Sequence, residues 1–313
     1  MREELIISGR MNRLVDPVLN IWHWHIPLYL FLGGLAAGIL FFAALVTIQG
    51  KADKYPTAAK LAPFLTPFLL ALGLLALFLD LNHKLFFWRL YTTIRLESPM
   101  SWGAWTLMVV MPLSLIWCAL NIREIFPRWD WKYPILFKTE AFFKNNLLTI
   151  SWIMLVFSLI LGVYTGILFS AFNARPLWNT SILGPLFLTS GLSTGAAAIV
   201  LMSKQQTERN YFARIDLMLI GIEIFLIIHM FMGFLASTQV HIEAAQLFLG
   251  GPYTTVFWMF VFSFGLVVPA ILEILELRGF HMPHWLAPSL VLFGGIMLRF
   301  IMAYAGQASR WLY

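Results

Sequence analysis

Six side chains able to donate, accept or move a proton fall at nearly one depth in a chain that is otherwise oily. They are Tyr29, Tyr164, His229 and Arg299, with His25 and Asp80 just beyond them. At 1.5 Å per residue the first four sit roughly 5–11 Å beneath the same membrane surface. Phenols and imidazoles at that level suit a lipid-soluble substrate that enters sideways from the bilayer. A quinone is such a molecule, because its carbonyl oxygens need hydrogen-bond donors and its two-electron reduction takes up two protons. Tyr29, His25, Tyr164 and His229 are donors close to water; Asp80, His229 and Arg299 would shape the site or deliver protons. Each also has an ordinary structural alternative. Arg299 can pair with Asp80, and Tyr164 can hydrogen-bond within a helix bundle.

A second set of ionisable groups lies deeper. Glu223 falls near the middle of its apolar run, and Asp216 lies seven residues earlier, on the same face two turns away. Glu273 and Glu276 close another run on the inner side. A charge at mid-bilayer costs at least about 2.5–3.5 kcal/mol, so such residues are functional candidates. The line of carboxyls could pass protons, or it could be a structural set of neutral acids. A haem would need histidines facing each other on two helices. His83 with His229, or His25 with His229, could hold one, and His281 and His284 fall in an inner loop, so a di-haem arrangement is not expected. The lone Cys118 can build neither a disulfide nor an iron–sulfur cluster. No metal or haem is therefore expected on this chain.

The elements that must hold these groups are membrane spans. The 313 residues are 60% hydrophobic and 12% charged, half the charge of a soluble domain, and their mean hydropathy is +0.80. The net charge of +6 belongs to loops and does not point to nucleic acid. Eight apolar stretches long enough to cross a bilayer are predicted, at 26–49, 61–80, 102–122, 147–170, 179–203, 214–236, 253–276 and 285–304. Lys and Arg are more numerous in the loops away from the N-terminus, which puts both termini outside, in the periplasm of a diderm host. Residues 1–25 are expected to be a periplasmic segment without the apolar core of a signal peptide. The longest loop, with Trp129, Trp131 and Tyr133, reads as an interfacial segment or an ordinary connector. Gly34-Leu35-Ala36-Ala37-Gly38 in span one is echoed by Gly191-Leu192-Ser193-Thr194-Gly195 in span five, and both spans run inward. The expected architecture is all-α, with two four-helix transmembrane bundles, 26–170 and 171–313, related by an axis along the membrane normal.

Four segments carry a resemblance to a known family. They are Trp22-His23-Trp24 with Gly34 to Gly38, then Ser98-Pro99-Met100-Ser101-Trp102-Gly103-Ala104-Trp105, Tyr164-Thr165-Gly166, and Asn173-Ala174-Arg175-Pro176-Leu177-Trp178-Asn179. In these the protein resembles the NrfD/PsrC membrane subunits, the quinone-reactive anchors of polysulfide reductase-type oxidoreductases. The resemblance implies a multi-pass protein of a bacterial or archaeal cytoplasmic membrane with a site for menaquinone or ubiquinone near the outer face. It implies a tyrosine at the position of Tyr164, a histidine where this chain has Tyr29 and an asparagine where it has Ile26. Tyr29 can still donate, Ile26 cannot, and His23 or His25 stands close enough to compensate. Also implied are a partner with four [4Fe–4S] clusters and a molybdopterin or other catalytic subunit holding the substrate-specific site. Two other classes remain open on sequence: a secondary transporter, which the repeat and buried acids suit, and a passive anchor whose polar layer only docks a partner.

Overall fold

Lipid offers the backbone no hydrogen-bond partners, so each apolar stretch must close its own bonds as a helix. A computed structural model describes residues 21–129, 133–280 and 282–311, and among these there are helices and no strands. Eight helices are long and apolar enough to cross a membrane: α1 His25–Ile48, α2 Thr57–Asp80, α3 Pro99–Ile125, α4 Leu147–Ser170, α5 Leu183–Met202, α6 Gln206–Leu235, α7 Thr254–Leu277 and α8 Leu286–Ala308. The end of the molecule where α1 begins is called proximal below, the other end distal.

Four boundaries move by four residues or more: span two begins at Thr57 rather than 61, span eight ends at Ala308 rather than 304, and the starts of spans five and six shift. The fifth span begins at Leu183 rather than 179, because Asn179 and Thr180 are held in turns that end on Arg175 and Trp178. The sixth begins at Gln206 rather than 214. Its first turns are polar but firmly tied: Glu208 accepts hydrogen bonds from the Ala58 amide and the Ser203 hydroxyl, both at 2.9 Å. The long loop after α3 holds a helix, Pro134–Asn145, beside exposed Trp129 and Tyr133; Trp131 and residues 1–20 lie outside the described residues, as does His281.

Helices α1 and α5 sit at the centre. Their apolar stretches are 78% and 72% buried, against at most 56% in any other span. The reason is in their small residues. Gly34 and Gly38 of α1 meet Gly191 and Gly195 of α5 backbone to backbone, and a methyl group on Gly38 would overlap the Gly191 carbonyl. Without a hydrophobic force between helices in lipid, such close approach is what holds them. The echoed glycine segments are thus partners in space. Around them α1 contacts α2 and α4 while α5 contacts α6 and α8, and α3 packs on α4 as α7 packs on α8.

Prolines inside spans free carbonyls that neighbours must satisfy. Pro63 has no N–H for the carbonyl of Ala59, and Trp117 Nε1 donates to that carbonyl at 2.9 Å. Pro67 likewise cannot serve Pro63, whose carbonyl takes the Thr66 hydroxyl at 2.7 Å and the Cys118 thiol at 3.5 Å. The single cysteine is a local donor at a helix break. In α7 a wide π-helical stretch, Phe257–Val267, precedes Pro269 and relieves its clash with the turn before.

Candidate functional site

The proximal ends of α1 to α4 do not close on one another. They leave a cavity of about 150 Å³. Leu74, Leu77, Leu107 and Leu168 make its walls apolar, and Trp22, Leu90 and Met100 roof it. Into it come Tyr29 from α1, Asp80 from the end of α2, Tyr91 from the segment after α2, and Tyr164 from α4. Tyr29, Tyr91 and Tyr164 all line the one cavity, so the three phenols form one group. Tyr29 and Tyr164 are 3% and 7% exposed, yet neither hydroxyl has a hydrogen-bond partner among the described residues. Buried tyrosines ordinarily find one, so two unspent hydroxyls on an apolar cavity are unusual. Burial pushes the Tyr91 phenol above the usual tyrosine range, which keeps its proton on and leaves it a donor.

Each of these side chains is placed by its neighbours. The ring of Tyr164 lies flat against Gly103 of α3, where any side chain would collide with it. Met100, Ala104 and Leu107, at helical spacing on the same helix, face the cavity beside it. His25 stands over the cavity with Nδ1 at 3.4 Å from Asp80 Oδ1, close enough for an ion pair though not aligned as a hydrogen bond. The Trp24 ring lies 4.0 Å from the His25 ring, centre to centre, tilted by 30°. The segment Asn173 to Asn179 closes this end. Arg175 donates to the Ser309 carbonyl at 2.8 Å, and Trp178 Nε1 donates to the Met302 carbonyl at 2.9 Å. Trp178 also stacks on Trp22 and Phe169, and Gln307 clamps the Trp22 backbone from both sides. The motif is a strut that fixes Trp22 over the site.

The expected layer is only partly one site. Tyr29, Tyr164, Asp80 and His25 converge. His229 does not: it is exposed on α6, stacked on exposed Phe225, and lines no wall of the cavity. His23 is exposed as well, and no pairing of His229 with His25 or His83 is formed. Arg299 is fully buried elsewhere, between α5 and α8. It donates to the Ser190 hydroxyl and to the carbonyls of Gly295 (3.0 Å) and Phe187 (3.1 Å), and does not touch Asp80. Equal depth put these residues in one layer, but the helix faces point them apart. Sequence reasoning missed Tyr91 and the part played by Gly103. Tyr91 follows an aromatic run, Leu85-Phe86-Phe87-Trp88, that Lys84 and Arg89 disguise as a plain loop.

The profile described as "Polysulphide reductase, NrfD" matches residues 12–309. The chain belongs to the NrfD family. It is 33% identical to the protein NrfD of Escherichia coli, over 92% of this chain and 95% of that one. It is 30% identical to the C chain of polysulfide reductase from Wolinella succinogenes, over 92% and 94% respectively. A more distant relative is the C subunit of selenate reductase from Mesobacillus selenatarsenatis, 23% identical over 90% of this chain and 72% of that protein. With eight apolar helices, this NrfD-family chain is a multi-pass protein of the bacterial inner membrane. Ile26 and Tyr29, the two positions at which the resemblance implies other residues, both line the cavity.

The NrfD-family chain also holds a file of buried polar groups away from that cavity. The Ser193 hydroxyl donates to Asp216, whose carboxyl interacts with that of Glu273. Farther along α6, Glu223 lies beside Ser190, whose hydroxyl receives a hydrogen bond from Arg299, so the serine stands between acid and guanidinium. Arg299 further lies over the Phe187 ring, 5.0 Å from its centre. Asp216 and Glu223 are about 10 Å apart along the helix, and Ser190 and Ser193 occupy the space between.

Proposed function

We propose that this protein is the quinone-reactive membrane subunit of an oxidoreductase complex, exchanging electrons between the quinone pool and an iron–sulfur partner. The observation that carries this reading is the set of unspent phenol hydroxyls on an apolar cavity beside the His25–Asp80 pair. The apolar walls suit a hydrocarbon-substituted ring, and the hydroxyls suit carbonyl oxygens at its edge. The family relatives named as parts of polysulfide and selenate reductases support the same context. In this reading the proximal end faces the periplasm, and the eight spans form two four-helix units that meet along α1 and α5. The partner with four [4Fe–4S] clusters, and a molybdopterin or other catalytic subunit, would dock on the proximal face.

The division of labour follows from position. Tyr29, Tyr91 and Tyr164 hold the carbonyl oxygens by donation, and the leucine walls exclude water around the ring. Asp80 borders both the cavity and the outside cleft, and His25 sits against it, so this pair passes protons between ring and water. The quinone, menaquinone or ubiquinone, supplies the two-electron, two-proton chemistry when bound.

The direct test fills the cavity. Ala104→Trp places an indole among the leucines, and in the assembled complex saturable binding of a ring-only quinone analogue, read by quenching of tryptophan fluorescence, should be lost. Unaltered binding would move the site elsewhere.

Asp216, Glu223 and Glu273, which reach from the distal side toward mid-membrane, are proposed as a proton route coupled to turnover. With Asp216→Asn, proton uptake from the distal side of sealed vesicles should fall while turnover in detergent persists. Uptake that keeps pace with turnover in the variant would remove the route.

A further inference from the structure

Tyr164 borders two spaces. One is the cavity; the other is a groove of about 480 Å³ on the membrane-facing side of α3 and α4, lined by Trp102, Thr106, Leu159, Ile160, Val163 and Ile167. Helix α3 assigns its faces accordingly. Met100, Ala104 and Leu107 turn to the cavity, Pro99, Trp102 and Thr106 to the groove, and Gly103 lies between, beneath the Tyr164 ring. We infer that this groove carries the hydrocarbon tail of the quinone whose ring the cavity binds, the tail passing beside the Tyr164 ring. The inference rests on the quinone reading above and adds where the rest of the molecule lies.

Three observations favour a tail here. The polar groups that border the groove along α3 are already spent: the Thr106 hydroxyl donates to the Trp102 carbonyl at 2.8 Å, and Trp102 Nε1 donates to the Leu96 carbonyl at 2.9 Å. What remains is hydrocarbon except at the proximal mouth, where Glu97 stands, and Ile160 and Ile167 are open to lipid. The direction is right as well. From Tyr164 back to Ile160 and Leu159 the groove descends about 6–8 Å along α4, away from the proximal surface and toward mid-bilayer, where a polyprenyl tail is at home. Finally, the neighbouring space is chemically unsuited. Leu81, Leu90 and Met100 also border a cleft of about 730 Å³, where Phe86 and Phe87 stand among Asn82, His83, Arg89 and Arg95. A hydrocarbon tail laid there would strip water from guanidinium groups without replacing their hydrogen bonds. The cleft suits protons and water, the groove suits the tail. Since lipid is as apolar as the groove, the groove's contribution is orientation: a seated tail sets the ring's approach to the phenols.

The test compares tail lengths. Ile160→Trp and Val163→Trp each put an indole in the groove without touching the cavity. In the assembled complex in liposomes, KM for a long-tailed quinol should rise about tenfold in these variants, while KM for a quinol with a single isoprene unit changes less than about twofold. Equal effects on both substrates, or no effect on either, would overturn the tail assignment. If the unmodified complex uses neither quinol, the quinone reading fails first. A second measurement needs no variant. A quinone with a photoreactive group on its second isoprene unit should label peptides containing residues 99–106 and 159–167 of the native complex. Label confined to 81–96 would place the tail in the cleft instead and sink the inference.

Discussion

Tyr164→Phe should lower quinol-linked turnover of the assembled complex about a hundredfold, the usual scale for losing a proton donor aimed at the reacting group. Dye-linked activity of the catalytic partner should persist. The substitution removes the oxygen but keeps the Cζ and Cε1 end of the ring against Gly103, so the ring keeps its seat. Its hydroxyl has no partner among the described residues, and none is therefore orphaned by its loss. A drop in turnover can only come from the bound substrate. Gly103→Ala makes the complementary change, keeping the hydroxyl but pushing the ring off its seat. Here KM should rise more than kcat falls, because the donor is present but misplaced. Quinol kinetics unchanged in Tyr164→Phe would separate the cavity from the chemistry.

Arg299→Leu should have the largest effect on stability, about 3–5 kcal/mol, by leaving the Ser190 hydroxyl and the Phe187 carbonyl buried without their donor and Glu223 without a nearby positive charge. Arg299 is fully buried and Glu223 is 3% exposed, so water cannot take over. The guanidinium also holds Ser190, Phe187 and Gly295 together across α5 and α8. Glu223→Gln on its own should cost less, since the amide can still meet Ser190. Combining Arg299→Leu with Glu223→Leu should recover part of the loss, because the second change removes the buried acid while the Ser190, Phe187 and Gly295 oxygens stay without their donor. Thermal unfolding of the complex in detergent reads the cycle. Additive single effects would mean that the two residues do not share an environment.

Depth within a span was legible in the sequence, and azimuth was not. Tyr29 and His229 lie at similar depths, yet one faces the phenols of Tyr91 and Tyr164 and the other stacks on an exposed Phe225. The helix that carries His229 has polar residues on several faces, so no apolar stripe marks which side is covered. Arg299 misled for the same reason. Its predicted partner, Asp80, is one of two acids at comparable reach, and only the packing of α8 against α5 selects Ser190 and Glu223 instead. The distant pairing of Gly34 and Gly38 with Gly191 and Gly195 was legible as an echo, although not as a contact.

The amino-acid order by itself determined that the protein has eight helices able to cross a membrane among the described residues, roughly where, and which family it resembles, because hydropathy and motifs are local sums along the chain. It also marked Tyr164, Tyr29, Asp80 and His25, since polar groups near the end of an apolar run are costly wherever they point. Tertiary packing decided which of them share a cavity, added Tyr91, and put Gly103 beneath the Tyr164 ring. A helix's rotation is set by what its neighbours present, and in a bilayer, where every face is equally greasy, contacts between helices are what choose it.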